Sequence, residues 1–281
     1  MGGTITATQI SGSLDAKNIV MDVLNQMNAY SNLNAIFQKV PVPELTGTVP
    51  VSKPGTVDED VGEGESTDIN GGDFAYVSFD LKKDRKKLAR TDESLYKSKV
   101  GDPLGPQKIQ AATELAQTLD KKIITALESS PQTGACSGVW STVTNSPLKD
   151  IATAVKAILP YRADCVIMPG DVHAAYLATN AIASLSTGNP AAFTGAVGMV
   201  PGWNIPIYVD DNATAKTAIV ASASGYGALI GNGPVNVRDW DEGGSGMHIY
   251  QIDLWRQVKS GIFKTSASLN KTAYVLTAAI A

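Results

Sequence analysis

Residues 74–90 read Phe74-Ala75-Tyr76-Val77-Ser78-Phe79-Asp80-Leu81-Lys82-Lys83-Asp84-Arg85-Lys86-Lys87-Leu88-Ala89-Arg90, two contrasting patterns in succession. The first half alternates, with Ala75, Val77, Phe79 and Leu81 on one face and Tyr76, Ser78 and Asp80 on the other, which predicts a half-buried strand. Upstream, Val49 and Val51 alternate with Pro50 and Ser52 ahead of Lys53-Pro54-Gly55. This is a second strand, and Pro50, lacking an N–H, confines it to an edge. Between the two lies a tip at about 54–72 with Asp58, Glu59, Asp60, Glu63, Glu65, Asp68, five glycines and, as apolar side chains, Val57, Val61 and Ile69. So long a loop is expected to have a job; this one is predicted to project toward a partner. The second half then inverts the charge, placing six bases around Asp84. A solvated face or nucleic-acid contact would account for such a run. A third explanation is that acidic and basic segments of one extended arm attract the opposite segments of neighbouring copies, a contact that salt screens beyond about 8–10 Å. The candidate inter-subunit residues are therefore Asp58, Glu59, Asp60, Glu63, Glu65, Lys82, Lys83, Arg85, Lys86, Lys87 and Arg90.

Outward from this arm the elements follow in order. Residues 14–30 carry Leu14, Ile19, Val20, Val23, Leu24, Met27 and Tyr30 at helical spacing behind a polar arm. Gly105-Pro106 opens a helix in which Ile109, Ala112, Leu115, Ala116, Leu119, Ile123 and Leu127 keep register up to Ser129-Ser130-Pro131. At about 22–26 residues it is twice the usual length. A Gly/Ser/Thr-rich connection (131–146) leads to Ser146-Pro147, an N-cap followed by proline, and the stripe Leu148, Ile151, Val155, Ile158, Leu159. A buried strand at 165–168, a turn at Pro169-Gly170 and a helix with Asp171 as N-cap complete an α/β layer. Strands are predicted at 203–209, 217–221, 226–238 and 247–258, with a last apolar piece at 273–276 and Trp240-Asp241-Glu242-Gly243-Gly244 as a hairpin connection.

A net charge of −4, 43% hydrophobic and 18% charged residues over 281 positions exclude a disordered chain and a basic nucleic-acid coat. The start lacks a signal peptide's basic flank and apolar core, and no apolar stretch nears the ~20 residues that span a bilayer; cytoplasmic synthesis and no membrane partner are expected. Two cysteines, Cys136 and Cys165, and two histidines, His173 and His248, imply neither a disulfide framework nor a structural zinc site. Gly62-Glu63-Gly64 and Gly231-Asn232-Gly233 continue into no dinucleotide fingerprint or P-loop and read as flexible or tight-turn glycines. Asp210-Asp211-Asn212 reads as a turn. No cofactor is expected, and a soluble α/β enzyme using Asp171, His173 and Asp210 is kept as an alternative of a different class.

In the order of its parts the chain resembles the major capsid proteins of tailed double-stranded DNA phages and related viruses, the HK97-like fold. The local features most similar are Val166-Ile167-Met168-Pro169-Gly170-Asp171-Val172-His173-Ala174-Ala175-Tyr176-Leu177, then Gly202-Trp203-Asn204-Ile205-Pro206-Ile207-Tyr208-Val209, and the closing Ile252-Asp253-Leu254-Trp255-Arg256-Gln257-Val258. The resemblance implies an α+β fold: an N-terminal arm and helix (1–30); a peripheral domain (31–146) with an extended two-stranded E-loop (about 45–90) and a long spine helix (about 102–130); an α/β axial domain (147–235); and a return to the peripheral domain (236–281).

It further implies a non-enzymatic structural subunit of a virion, self-assembling into pentamers and hexamers of an icosahedral shell around double-stranded DNA, which it contacts non-specifically. With no room for an N-terminal scaffolding domain, a separate scaffolding protein and a portal are the expected partners. An encapsulin-like compartment with a protein cargo is the alternative within the same fold.

Overall fold

Alternation of polar and apolar residues sorts the last third of the chain into long antiparallel strands, around which one layer is built. The computed structural model describes residues 16–52, 74–93, 104–129, 131–140, 142, 146–179, 195–242, 244, 246–263 and 270–280. Strands β10 (Ala228–Glu242) and β11 (Met247–Ser260) pair antiparallel. β1 (Gln38–Pro41) adds parallel to β10 and β4 (Lys82–Thr91) antiparallel to β11, giving the order β1-β10-β11-β4. Trp240, Asp241 and Glu242, expected in the hairpin connection, are paired residues of β10 opposite Ile249, His248 and Met247.

Helix α1 (Ala16–Tyr30) and helix α2 (Gly105–Glu128) pack on one face of this sheet. Ile19, Val20, Val23 and Met27 of α1 meet Ala111, Ala112, Leu115 and Ala116 of α2 and Tyr250, Ile252 and Leu254 of β11 in one buried cluster. The long helix is 24 residues with proline in its first turn, as its sequence predicts. Ile109 is the exception to the predicted stripe: it is 49% exposed, and the buried position of that turn goes to Lys108, whose ammonium lies 3.1 Å from Asp22. Tyr30 and Leu159, also predicted in apolar stripes, are exposed.

The second layer is a six-stranded sheet, β5 (Pro131–Ala135), β12 (Asn270–Thr277), β9 (Ala218–Ala221), β6 (Cys165–Met168), β8 (Ile205–Val209) and β7 (Gly198–Val200) in spatial order. Helices α3 (Pro147–Ala157) and α4 (Gly170–Ala178) cover one face, where Ile151, Ala154 and Tyr176 pack on Val166, Met168 and Val220. The opposite face meets the far end of α2, Ile123, Ile124 and Leu127, with Leu33 and Phe37. The same helix therefore packs on both sheets. All four residues of β6 are buried, as befits a strand covered on both sides.

Two assignments change here. The stretch 131–135, read as connection, is an edge strand parallel to β12. Residues 236–281, expected to return as one piece, divide: β10 and β11 lie in the four-stranded sheet, but β12 enters the six-stranded one. Ala273, Val275 and Leu276 are buried on alternate faces of β12, in two different clusters, so it needs a sheet covered on both sides. Two caps also differ. Ser146 makes no side-chain cap bond. In α4 the cap position is Pro169, Asp171 accepts from the neighbouring Val172 N–H at 2.7 Å, and the Gly170 N–H donates to Asp211 at 2.9 Å.

Strands β2 (Thr46–Ser52) and β3 (Phe74–Asp80) form a separate two-stranded ribbon with Pro50 opposite Tyr76. Val51, Val77, Phe79 and, just beyond, Leu81 pack with Leu229, Val42 and Phe263; Phe74 and Tyr76 on the other face are exposed. Gly231 and Gly233 are not turn glycines but residues of β10 that admit this ribbon closely. A Cβ at Gly231 would lie 2.5 Å from the Phe79 ring, and one at Gly233 2.4 Å from Leu81. Gly62-Glu63-Gly64 lies outside the described residues. Gly231→Ala is expected to destabilise the chain by about 1–3 kcal/mol through overpacking. In urea denaturation, Gly105→Ala, where no atom lies within 4 Å, serves as the control and should be neutral or slightly stabilising.

Candidate assembly interface

The basic run is a strand, β4, and the two-residue period of a strand divides it between two faces. Even-numbered residues face α2. Asp84 accepts from Lys122 Nζ at 2.6 and 2.7 Å and from Arg256 Nη2 at 3.2 Å. Lys86 pairs with Glu114, Leu88 joins the core, and Arg90 Nε donates to the Tyr250 hydroxyl at 3.3 Å. Odd-numbered residues cover the opposite face. Lys83 sits 5.1 Å from the Trp255 ring centre and Lys87 5.5 Å from that of Trp240. Arg85 donates to Asp253 through Nε at 2.7 Å and Nη2 at 3.3 Å; these bonds hold the Asp253 carboxyl below its ordinary range. Lys82, at the start of the strand, is exposed.

Most of the run is thus engaged within its own chain, a role the sequence does not reveal because each partner is distant along it. The location supplies another reason for the charge. β4 is an edge of its sheet, and lysines on an edge discourage pairing with a foreign strand. Gln107 of α2 closes part of that edge, donating to Ala89 O at 2.8 Å and accepting from Ala89 N–H at 3.1 Å. The acidic counterparts Asp58, Glu59, Asp60, Glu63 and Glu65 lie outside the described residues.

Behind β11 the cationic group missed in sequence is Arg256. Its side chain is 5% exposed, burial pushes its pKa down, and Nη1 rests 3.3 Å from Met27 Sδ while Nη2 also reaches Leu115 O at 3.4 Å. Its Nε is buried without a hydrogen-bond partner, as is Trp255 Nε1. Both residues line a cavity of about 250 Å³ shared with Leu24 and Met27 of α1, Lys39 of β1 and Leu254. Near it, Asp120 of α2 accepts from Ser31 Oγ at 2.5 Å at the end of α1, and Asn34 N–H donates to the same Oγ at 3.1 Å. Burial pushes the Asp120 carboxyl up to about 6, against the Ser31 bond that favours its charged form.

The enzymatic alternative finds no assembled constellation among the described residues. Asp171 is exposed and bonded to Val172. Asp210 Oδ1 is occupied by Asn212, accepting from its N–H at 2.9 Å and from Nδ2 at 2.8 Å, the local turn predicted for these residues. His173 stacks on Tyr176 at 6.4 Å, burial lowers its pKa, and no hydrogen bond links it to either carboxylate. Burial also raises the thiols of Cys136, to about 12, and Cys165, the opposite of activation. Among the described residues no group of His, Cys, Asp or Glu is arranged to hold a metal, and no helix is long and apolar enough to cross a membrane.

No family model matches the sequence, and no curated protein does. Solved structures match along nearly the whole chain. A virus-like particle from Pyrococcus furiosus aligns with TM-score 0.63 at 13% identity, covering 92% of this chain and 98% of that one. A chain of Mycobacterium phage Adephagia gives 0.57 at 16%, covering 88% and 89%. The holo-SrpI encapsulin complex from Synechococcus elongatus gives 0.61 at 9%, covering 99% and 92%. The chain has the HK97-like capsid fold. In that fold α2 is the spine helix and the β2–β3 ribbon the root of the E-loop.

Removing Asp84 strands two cations, one of them buried, so Asp84→Ala should cost about 3–5 kcal/mol. Lys87→Ala, which loses one exposed cation–π contact, should cost under about 1 kcal/mol in the same denaturation series. For Asp120 the raised folded-state pKa means that the native chain retains a proton which the unfolded chain releases. Its stabilisation is present below about pH 4 and lost as pH rises through about 6. Wild type should therefore lose about 2 kcal/mol relative to Asp120→Asn between pH 4 and 6.5, read from paired urea titrations.

Proposed function

We propose that the chain is a shell-forming structural subunit, the major capsid protein of a virion, and not an enzyme. Copies associate as pentamers and hexamers and close into an icosahedral shell around double-stranded DNA. The observation that carries this reading is a shell-protein fold running the length of the chain, with a two-stranded E-loop root presenting Phe74 and Tyr76, 51% and 72% exposed, on the face turned from its own core. Exposed aromatics on a ribbon that is marginal by itself are a surface for a neighbouring copy to cover.

The acidic tip, residues 58–65, extends this contact to cationic groups of the neighbour, the run at 82–90 being the sequence-level candidate. DNA contact is non-specific, since tight phosphate binding scales with the number of Lys and Arg engaged, and the densest cationic run, 82–90, is largely engaged inside the subunit. A separate scaffolding protein and a portal complete assembly. Synthesis is cytoplasmic. A second reading, an encapsulin-like compartment with a protein cargo, is favoured by the encapsulin match over 99% of the chain.

Negative-stain microscopy of purified full-length protein should reveal closed particles, and a chain that stays monomeric with its partners supplied would overturn the shell reading. Nuclease-protected DNA in native particles supports the virion, and particles holding protein but no DNA the compartment. Deletion of residues 56–70 should leave the subunit folded, with an unchanged urea midpoint, and abolish particles.

A further inference from the structure

Strand β4 begins at Lys82, opposite Arg256, so residues 257–260 of β11 have β10 on one side and no β4 partner on the other. Between this end of β11 and the spine helix lies a groove of about 570 Å³. Thr118, Lys122, Thr125 and Ser129 of α2 line it, with Lys121 beside them; spacings of three and four residues put them on one face of the helix. At 1.5 Å per residue that face runs about 16 Å along the axis. Lys82, Thr118, Lys121, Thr125 and Ser129 are exposed, so solvent reaches the groove along its length.

Its charge is one-sided. Lys82, Lys121, Lys122, Arg256 and Lys259 line it, and no carboxylate does. Two acids adjoin it. Asp84 lies behind, accepting from Lys122 and Arg256, and Asp80 donates its backbone N–H to Gln257 of the wall at 2.7 Å. Five cations against two acids leave an excess of three. Lys82 and Lys121 form no ion pair among the described residues. The negative end of α2, which would repel an anion, is covered: Ala126 O accepts from Ser129 N–H at 3.2 Å, from Ser129 Oγ at 2.7 Å and from Ser260 Oγ. A concave surface of one charge sign concentrates counter-ions. Ala126 and Val258 are its apolar lining residues, which offer little to an apolar side chain. The fitting ligand is an extended polyanion, and a DNA strand presents a phosphate every 3.4 Å of axis, about five over the length of this face.

We propose that this groove seats the phosphate backbone of duplex DNA along the second half of the spine helix, with Lys82 and Lys121 making the direct contacts. Lys122 and Arg256, held by Asp84, add to the field and not to the contact. Phosphate contacts carry no sequence information, in keeping with non-specific packaging. The proposal deepens the virion reading and rests on it, and in a shell it turns this face inward.

The probe is a fluorescein-labelled duplex of about 20 base pairs, titrated by anisotropy into purified, unassembled full-length protein between about 50 and 200 mM NaCl, where phosphate contacts are strongly salt-dependent. The double variant Lys82→Gln/Lys121→Gln should bind at least tenfold more weakly at the lower salt. Its slope of log affinity against log salt should flatten by about 2, since each phosphate contact carries about 0.9. Lys149→Gln/Lys156→Gln makes the same change of net charge at exposed positions of α3 and should stay within about twofold of wild type. Lys121→Gln alone should flatten the slope by about 1 with an unchanged urea midpoint, which separates lost contact from lost fold. Absence of binding by wild type at about 100 μM protein, the weakest affinity expected of non-specific binding, would overturn the proposal. So would equal losses in the two double variants, or full displacement of the duplex by inorganic phosphate at constant ionic strength, the behaviour of a pocket for a single anion. DNA-filled particles together with unaltered duplex affinity in the Lys82/Lys121 variant sink the groove alone, whereas particles without DNA, or no particles, sink the reading it rests on.

Discussion

Asp84 joins the layer that carries the fold. It is the acid within the basic strand β4, it faces inward, and it holds both Lys122 of the spine helix and Arg256 of β11. An ionic contact of this kind contributes little net stability, because desolvating the charges offsets most of their attraction, but it is costly to break and therefore selects one arrangement. The arrangement selected is a register. With Asp84 opposite Leu254 and Lys82 opposite Arg256, Leu88 falls into the core and Lys83, Arg85 and Lys87 fall on the far side. A slip of one residue would reverse every one of these.

From this joint the rest follows by packing. The spine helix, held to the four-stranded sheet along its first half, carries Ile123, Ile124 and Leu127 onward into the six-stranded sheet. One rigid element thus sets the relation of both layers. The E-loop root is held differently, by close approach: glycines 231 and 233 leave the space that Phe79 and Leu81 fill. The ribbon is fixed on one face, where Val51, Val77 and Phe79 pack, and bare on the other, where Phe74 and Tyr76 are exposed.

Local pattern made much of the fold legible. The 24-residue spine helix, the buried strand at 165–168 and the alternation of the β2–β3 ribbon are each visible in residue spacing because each buries one face or both. What escaped were short strands such as β1 and β5, whose identity comes from the sheet they join, and the destination of β12. The candidate interface was half legible. Charge density in 82–90 is plain in the sequence, but the parity of β4 and the partners Asp253, Glu114, Lys122 and Tyr250 depend on contacts made across 28 to 168 residues. Arg256 carries no local signal at all: an arginine in a long alternating strand looks ordinary until burial removes its solvent.

The sequence by itself determined the order of the long elements and the separation of an acidic stretch from a basic one, since these depend on neighbours within a few residues. The tertiary structure alone decided which charges are already neutralised and which remain available. That decision is long-range by nature, because the worth of a charge depends on how much water it has lost and on what faces it across the core.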